Sequence, residues 1–149
     1  MAPKKGPSNI IPLRYILADA GPFIALFDRD DDWHEPVLRY IKTFRGRLIT
    51  TWPVLTEAMH MLDFNIKAQL DLLTWVERNG VQIFELNAGH VPEIKAYMEK
   101  YSSIRPDLAD ISLMIAADRM NVTNVLTIDN DFNIYRMPDG QYLHNVLNS

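Results

Sequence analysis

Residues 14–19 read R-Y-I-L-A-D: a short apolar run, Arg14–Ala18, that ends directly on an acid. An apolar run of this length without alternation is the pattern of a strand covered on both faces. A charge placed immediately after such a strand is rarely left without a partner. Asp19 is therefore the first residue to follow. Working outward, Pro22–Phe27 suits one or two helical turns, Asp28–Asp32 is a charged loop, and Trp33–Phe44 has helical spacing through Val37, Leu38, Ile41 and Phe44. Arg47–Thr51 is the second strand candidate. Pro53–Leu62 follows as a helix with proline at its opening, and Ile66–Arg78 continues the helical pattern up to a stop at Asn79-Gly80. Val81–Leu86 is strand-like, His90–Tyr101 and Leu108–Met120 are helical, and Asn124–Ile128 is a fourth apolar strand. A short strand within Gln141–Val146 is expected to close the edge.

Strands alternating with pairs of helices predict an α/β chain: a three-layer α/β/α sandwich around a parallel sheet of four or five strands. In such sheets ligands bind beyond the carboxyl ends of the strands. Several acids fall there. Asp19 follows the first strand, Asp129 follows the fourth, and Asp131 is two residues further on. Glu57 sits about one and a half turns into the helix after strand two. Asp107 and Asp110 stand three apart at a helix start, on one face. Each has a plainer role available. Asp107 after Pro106 is a good helix N-cap, Asp110 in the first turn suits the helix dipole, Asp129-Asn130-Asp131 is an ordinary turn, and Glu57 alone is a solvated helix acid. Their conjunction at strand ends is the stronger observation. Like charges gathered together need compensation, and an all-oxygen ligand set suits Mg²⁺ or Mn²⁺. Such ions activate water and neutralise a leaving oxygen in phosphodiester cleavage.

The sequence resembles the PIN-domain nucleases, in particular the VapC toxins of toxin–antitoxin modules. The resemblance runs from about Tyr15 to Arg136. Its carrying segments are L-A-D-A-G-P-F-I-A-L-F-D-R-D-D-D-W-H-E at 17–35, T-T-W-P-V-L-T-E-A at 50–58, P-D-L-A-D-I-S-L at 106–113 and L-T-I-D-N-D-F at 126–132. The resemblance implies that Asp19, Glu57, Asp110 and Asp129 are the catalytic, metal-binding acids, with Asp107 and Asp131 as accessory acids. It further implies Mg²⁺ or Mn²⁺ as cofactor, RNA as substrate, a homodimer, and an antitoxin partner that occludes the acidic pocket. Two features depart from the family pattern. Gly21 stands where many members carry Ser, Thr or Asn, so a polar contact to the first acid falls to Thr50 or Thr127. The loop between Asp129 and Asp131 is short, which leaves open which of the two faces the metal.

Composition sets the boundaries of this reading. The 149 residues are 48% hydrophobic, enough for one domain with a sizeable core, and 23% charged. Residues 1–13, with three prolines and two lysines, read as a flexible leader, and 14–149 as one nuclease domain. There is no cysteine, which removes disulfides and thiolate metal sites. No signal-peptide core follows Lys4 and Lys5, and no apolar run approaches the ~20 residues that span a bilayer, so a cytoplasmic protein with no membrane contact is expected. The net charge of −4 argues against a broad basic nucleic-acid surface but not against a nuclease, because bound metals restore local positive charge.

Other patterns are set aside. Asp28, Asp30 and Asp32 have the spacing of a calcium loop, but Trp33 stands where glycine and Arg39 where glutamate is needed. Glu57–His60 is a single E-x-x-H where di-iron bundles need two. His34, His60, His90 and His144 form no pair at helical spacing, and Ser112 has neither a nearby histidine nor an elbow motif. Trp33, Trp52 and Trp75 read mainly as core, with Trp33 partly exposed as a partner surface. Arg45, Arg47, Arg105 and Arg136 read individually as solvated arginines, and Met59 and Met61 as packing. A phosphoacceptor receiver domain would need paired acids after strand one and a lysine after the last strand, and no lysine follows Lys100. A catalytically silent RNA- or protein-binding module on the same fold is the remaining alternative.

Overall fold

The computed structural model describes residues 14–148; the expected leader over 1–13 lies outside the described residues. The first strand forms as expected. Strand β1 is Arg14–Ala18, with Ile16, Leu17 and Ala18 fully buried. It is the central strand of a five-stranded sheet whose other members are β2 (Gly46–Thr50), β3 (Val81–Ile83), β4 (Asn124–Leu126) and β5 (His144–Asn145). Their order is β3-β2-β1-β4-β5, and every pairing is parallel. Parallel neighbours need crossovers, and six helices supply them among the described residues. Helices α1 (Ala20–Phe27) and α2 (His34–Thr43) join β1 to β2, and α3 (Trp52–Met61) and α4 (Ile66–Glu77) join β2 to β3. Helices α5 (Val91–Lys100) and α6 (Leu108–Met120) carry the chain back to β4 on the far side of β1. That return runs opposite to the first two crossovers, so right-handed connections place its helices on the opposite face. The result is the expected three-layer sandwich.

Strand order reverses at β1, which makes the carboxyl ends of β1 and β4 a switch point with a crevice between them. The last pair there is Ala18 with Leu126, and the Asp19 amide closes the ladder on the Leu126 carbonyl at 3.1 Å. Helix α6 packs behind this edge. Residues Ala109–Ala117 are all buried, so the helix is enclosed on every side rather than amphipathic.

Three strands are shorter than the apolar runs that announce them. The run Val81–Leu86 leaves the sheet after Ile83, because its neighbour β2 stops at Thr50 and the next residue, Thr51, turns to cap α3. One further bond, from the Phe84 amide to the Thr50 carbonyl at 2.8 Å, ends the pairing. The run Asn124–Ile128 ends as strand at Leu126 for the same reason, since β1 stops at Ala18. Within Gln141–Val146 only His144–Asn145 pairs as strand, beyond an antiparallel bridge between Arg136 and Tyr142. Helix α1 starts two residues before Pro22, immediately after Asp19, which is its N-cap. Among the described residues no helix is long and apolar enough to cross a membrane.

Candidate metal centre

Asp19 occupies the N-cap position of α1, yet its side chain makes no capping bond. Its carboxylate points into the crevice instead, where it is only 5% exposed. Thr127, the first residue past β4, donates its hydroxyl to Asp19 Oδ2 at 2.9 Å and accepts the Asp129 amide at 3.0 Å. One side chain thus fixes the acids that follow both central strands. Of the two threonines expected to replace the polar contact absent at Gly21, Thr127 makes it. Thr50 donates instead to the Ala18 carbonyl at 2.9 Å and ties β1 to β2.

Asp110 enters from the first turn of α6. Asp107 caps that helix, accepting the Asp110 amide at 2.8 Å, so the capping role read from the sequence is real. Asp110 is 4% exposed, and the Tyr135 hydroxyl donates to its Oδ2 at 3.2 Å. Asp129 caps the short 3-10 helix Asn130–Asn133 by accepting the Asp131 amide at 2.9 Å. One carboxylate oxygen from each of Asp19, Asp110 and Asp129 lies within 4.8 Å of the other two. Asp131 stands outside this group.

The three acids line a cavity of about 290 Å³ together with Glu57 and Met61 of α3, and among the described residues no lysine or arginine lines it. Glu57 forms the wall without joining the three-oxygen group. Asp107 lines a neighbouring cavity that Glu57 also borders. The electrostatics follow from burial without a counter-charge. Desolvation pushes the Asp110 carboxyl up to about 8, with the charges of Asp19, Asp107 and Asp129 adding to the rise. Burial likewise lifts Asp19 to about 6 against hydrogen bonds from Ala20 and Thr127 that favour its charged form. Glu57 is raised by burial and then by Asp107 and Asp129, and Asp131 by burial and then by Asp129 and Asp107. Clustered oxygen ligands whose charge is disfavoured when alone fit a hard divalent cation, which reverses each of these penalties.

Several other residues depart from the places expected of them: Met61, read as packing, is 54% exposed where it lines the acid cavity, and two arginines read as solvated are held by the fold. Asp28 and Asp31 accept amides within their own loop, from Asp30 and Trp33. Arg47 donates to the Asn79 carbonyl at 2.9 Å, and Arg136 lies over the Tyr142 ring, so both are engaged in the fold. Trp75 packs on Phe23 and Phe27. Trp52 corrects the expectation of a core residue: as the first residue of α3 it is 49% exposed. Tyr135 escaped sequence reading altogether. It is fully buried against Tyr101 and Phe132, and a lone tyrosine in a loop carries no spacing that links it to an acid 25 residues earlier.

A switch-point crevice bearing three convergent carboxylates on a five-stranded parallel sheet defines a class, and the sequence agrees. The family model described as PIN domain matches residues 16–137, and the chain belongs to that family. No curated protein matches the sequence. Among solved structures the fold is similar to VapC20 of Mycobacterium tuberculosis, described as a sarcin–ricin loop cleaving toxin, with a TM-score of 0.73 at 16% identity, covering 80% of this chain and 93% of that one.

Proposed function

We propose that this protein is a Mg²⁺- or Mn²⁺-dependent endoribonuclease, its nuclease domain beginning at residue 14, and the toxin of a toxin–antitoxin pair. The observation that carries the reading is one carboxylate oxygen from each of Asp19, Asp110 and Asp129 within 4.8 Å, two of the three residues buried, with no basic side chain among the described residues lining the cavity. These three residues would hold the cation. Glu57 borders the same cavity, and Asp107 and Asp131 serve as accessory acids: Asp107 holds the Asp110 amide with its carboxylate, and the Asp131 amide is held by Asp129. A bound divalent ion supplies charge neutralisation at the phosphodiester and activation of water. Thr127 and Tyr135 orient Asp19 and Asp110, and the enclosing α6 keeps that side of the crevice dry. Family membership supports a nuclease, and the toxin described for VapC20 supports RNA as substrate. A homodimer and an antitoxin that covers the acidic pocket belong to the same proposal. The exposed apolar side chains Phe64, Ile66 and Leu70 on the α3–α4 hairpin are a surface of the kind such partners cover.

The test is cleavage of a mixed RNA pool by purified protein, in EDTA and after adding back Mg²⁺ or Mn²⁺. Cleavage is expected only with metal, and loss of it is expected in Asp19→Asn, Asp110→Asn and Asp129→Asn. Undiminished cleavage in EDTA overturns the metal-dependent reading. Metal binding without any cleavage would leave a silent RNA- or protein-binding module.

A further inference from the structure

Beside the acid cavity lies a second concavity of about 650 Å³, and Glu57 lines both, so the two are neighbours on either side of that side chain. Its wall is built from Trp52 and Pro53 at the start of α3 and Leu108 at the start of α6, with His60 and Asp107 on its border. Trp52 and Leu108 are 49% and 48% exposed, although both are large and apolar. They are not loose surface residues. The two helix starts are tied together underneath by Thr51 Oγ1 and Ser112 Oγ, both buried and 2.5 Å apart, and Ser112 donates on to the Ala109 carbonyl at 2.6 Å. An aromatic face is thus held open on a rigid platform next to the acids.

The chemistry of the lining selects the occupant. Among the described residues no lysine or arginine lines this concavity, and Glu57 and Asp107 border it, so this lining disfavours a phosphate and favours the uncharged part of a ligand. Its volume lies in the range of small-molecule sites, roughly 300–1,000 Å³. We propose that this concavity is a nucleobase subsite: a base of the single-stranded RNA next to the scissile phosphate stacks on the Trp52 indole, with Leu108 and Pro53 closing around it. Stacking of a base on an aromatic side chain is tolerant of sequence, so the subsite positions the strand rather than reading it. The inference rests on the nuclease reading and deepens it.

The test compares wild type, Trp52→Ala and Trp52→Phe as full chains, with Mn²⁺ and a labelled mixed-sequence single-stranded oligoribonucleotide. Removing one stacked base raises KM about tenfold in Trp52→Ala, with a smaller effect on kcat. Trp52→Phe keeps a stacking face and stays within about twofold of wild type. An unchanged KM in Trp52→Ala overturns the subsite. So does an unchanged KM accompanied by lost self-association in sedimentation, which would assign the face to a second copy of the chain. Should wild type cleave nothing, the nuclease reading falls separately, and fluorescence anisotropy of the same intact strand reads the subsite. Weaker binding by Trp52→Ala than by Trp52→Phe then supports it, and equal or absent binding overturns it. If Trp52→Ala does not fold, Leu108→Ala is read in the same way.

Discussion

Neutralising Asp110 without metal present is the sharpest test of what the acid cluster does to the fold. The ordinary carboxyl value is 3.8, and burial with three neighbouring acids lifts Asp110 to about 8. Between those two values the native state holds a proton that the unfolded chain has released. The unfolded state therefore binds fewer protons, and stability falls as pH rises through this window. The slope for one such group is about 1.4 kcal/mol per pH unit. From pH 5 to pH 7, both inside the window, Asp110 alone costs the metal-free protein about 3 kcal/mol. At roughly 3 °C per kcal/mol for a chain of this size, that is on the order of 10 °C of melting temperature. Asp110→Asn has no proton to lose, and the new amide oxygen can still accept the Tyr135 hydroxyl that now reaches Oδ2. The variant should therefore hold its melting temperature across this interval better than wild type by about that amount. Asp19, lifted to about 6, adds its own fall between 3.8 and 6 in both proteins. The measurement is a series of thermal melts in EDTA at pH 5, 6 and 7. Parallel curves for wild type and variant would refute the argument, as would a wild-type midpoint that rises with pH. In excess Mn²⁺ the wild-type trend should reverse, because the ion requires the deprotonated acids.

Two further outcomes separate supporting residues from the acids they support. Asp107→Ala removes the α6 N-cap and should cost about 1 kcal/mol in urea unfolding, while Asp107→Asn retains the cap and most of the stability; equal losses would deny the capping role. Thr127→Val keeps the volume but removes the hydroxyl that links Asp19 to the Asp129 amide, and should weaken Mn²⁺ binding by about 10–100-fold in calorimetry, with Thr127→Ser near wild type; unchanged affinity in Thr127→Val would remove that link from the site.

Much of this architecture is legible in residues 14–19 and their counterparts at 124–129, because a strand buried on both faces must be apolar, although only β1 runs right up to its acid and β4 ends at Leu126. Helix α6 is legible from its two ends: Asp107 caps it as expected, and the left-handed Asn121 (φ 54°) stops it. Strand ends are less legible, since β3 stops where its neighbour stops and not where its own apolar run does. The sequence likewise orders the acids along the chain without distinguishing Asp129 from Asp131. That choice is made by the 3-10 turn, in which Asp129 accepts the Asp131 amide and Asp131 is left outside the three-carboxylate group. Tyr135 and Trp52 are illegible for opposite reasons. One is hidden by burial against a partner distant in sequence, and the other looks like core because nothing local says that its indole faces out.

The same geometry that makes the site capable of holding a cation makes its acids a cost to the fold whenever no cation is bound. Asp19 and Asp110 are buried because β1 and α6 are buried, and shortening either element to expose them would remove the switch point that brings them to Asp129. The penalty is therefore largely intrinsic to the architecture, because burial is its first cause, ahead of the neighbouring charges. It is relieved only by protonation, by substitution, or by a cation, and of these only the cation leaves the carboxylates charged and available to coordinate. Ligand binding to the native state stabilises it in proportion to affinity and concentration. Stability of this protein should accordingly track divalent-ion concentration most steeply at neutral and higher pH, where the uncompensated acids cost most.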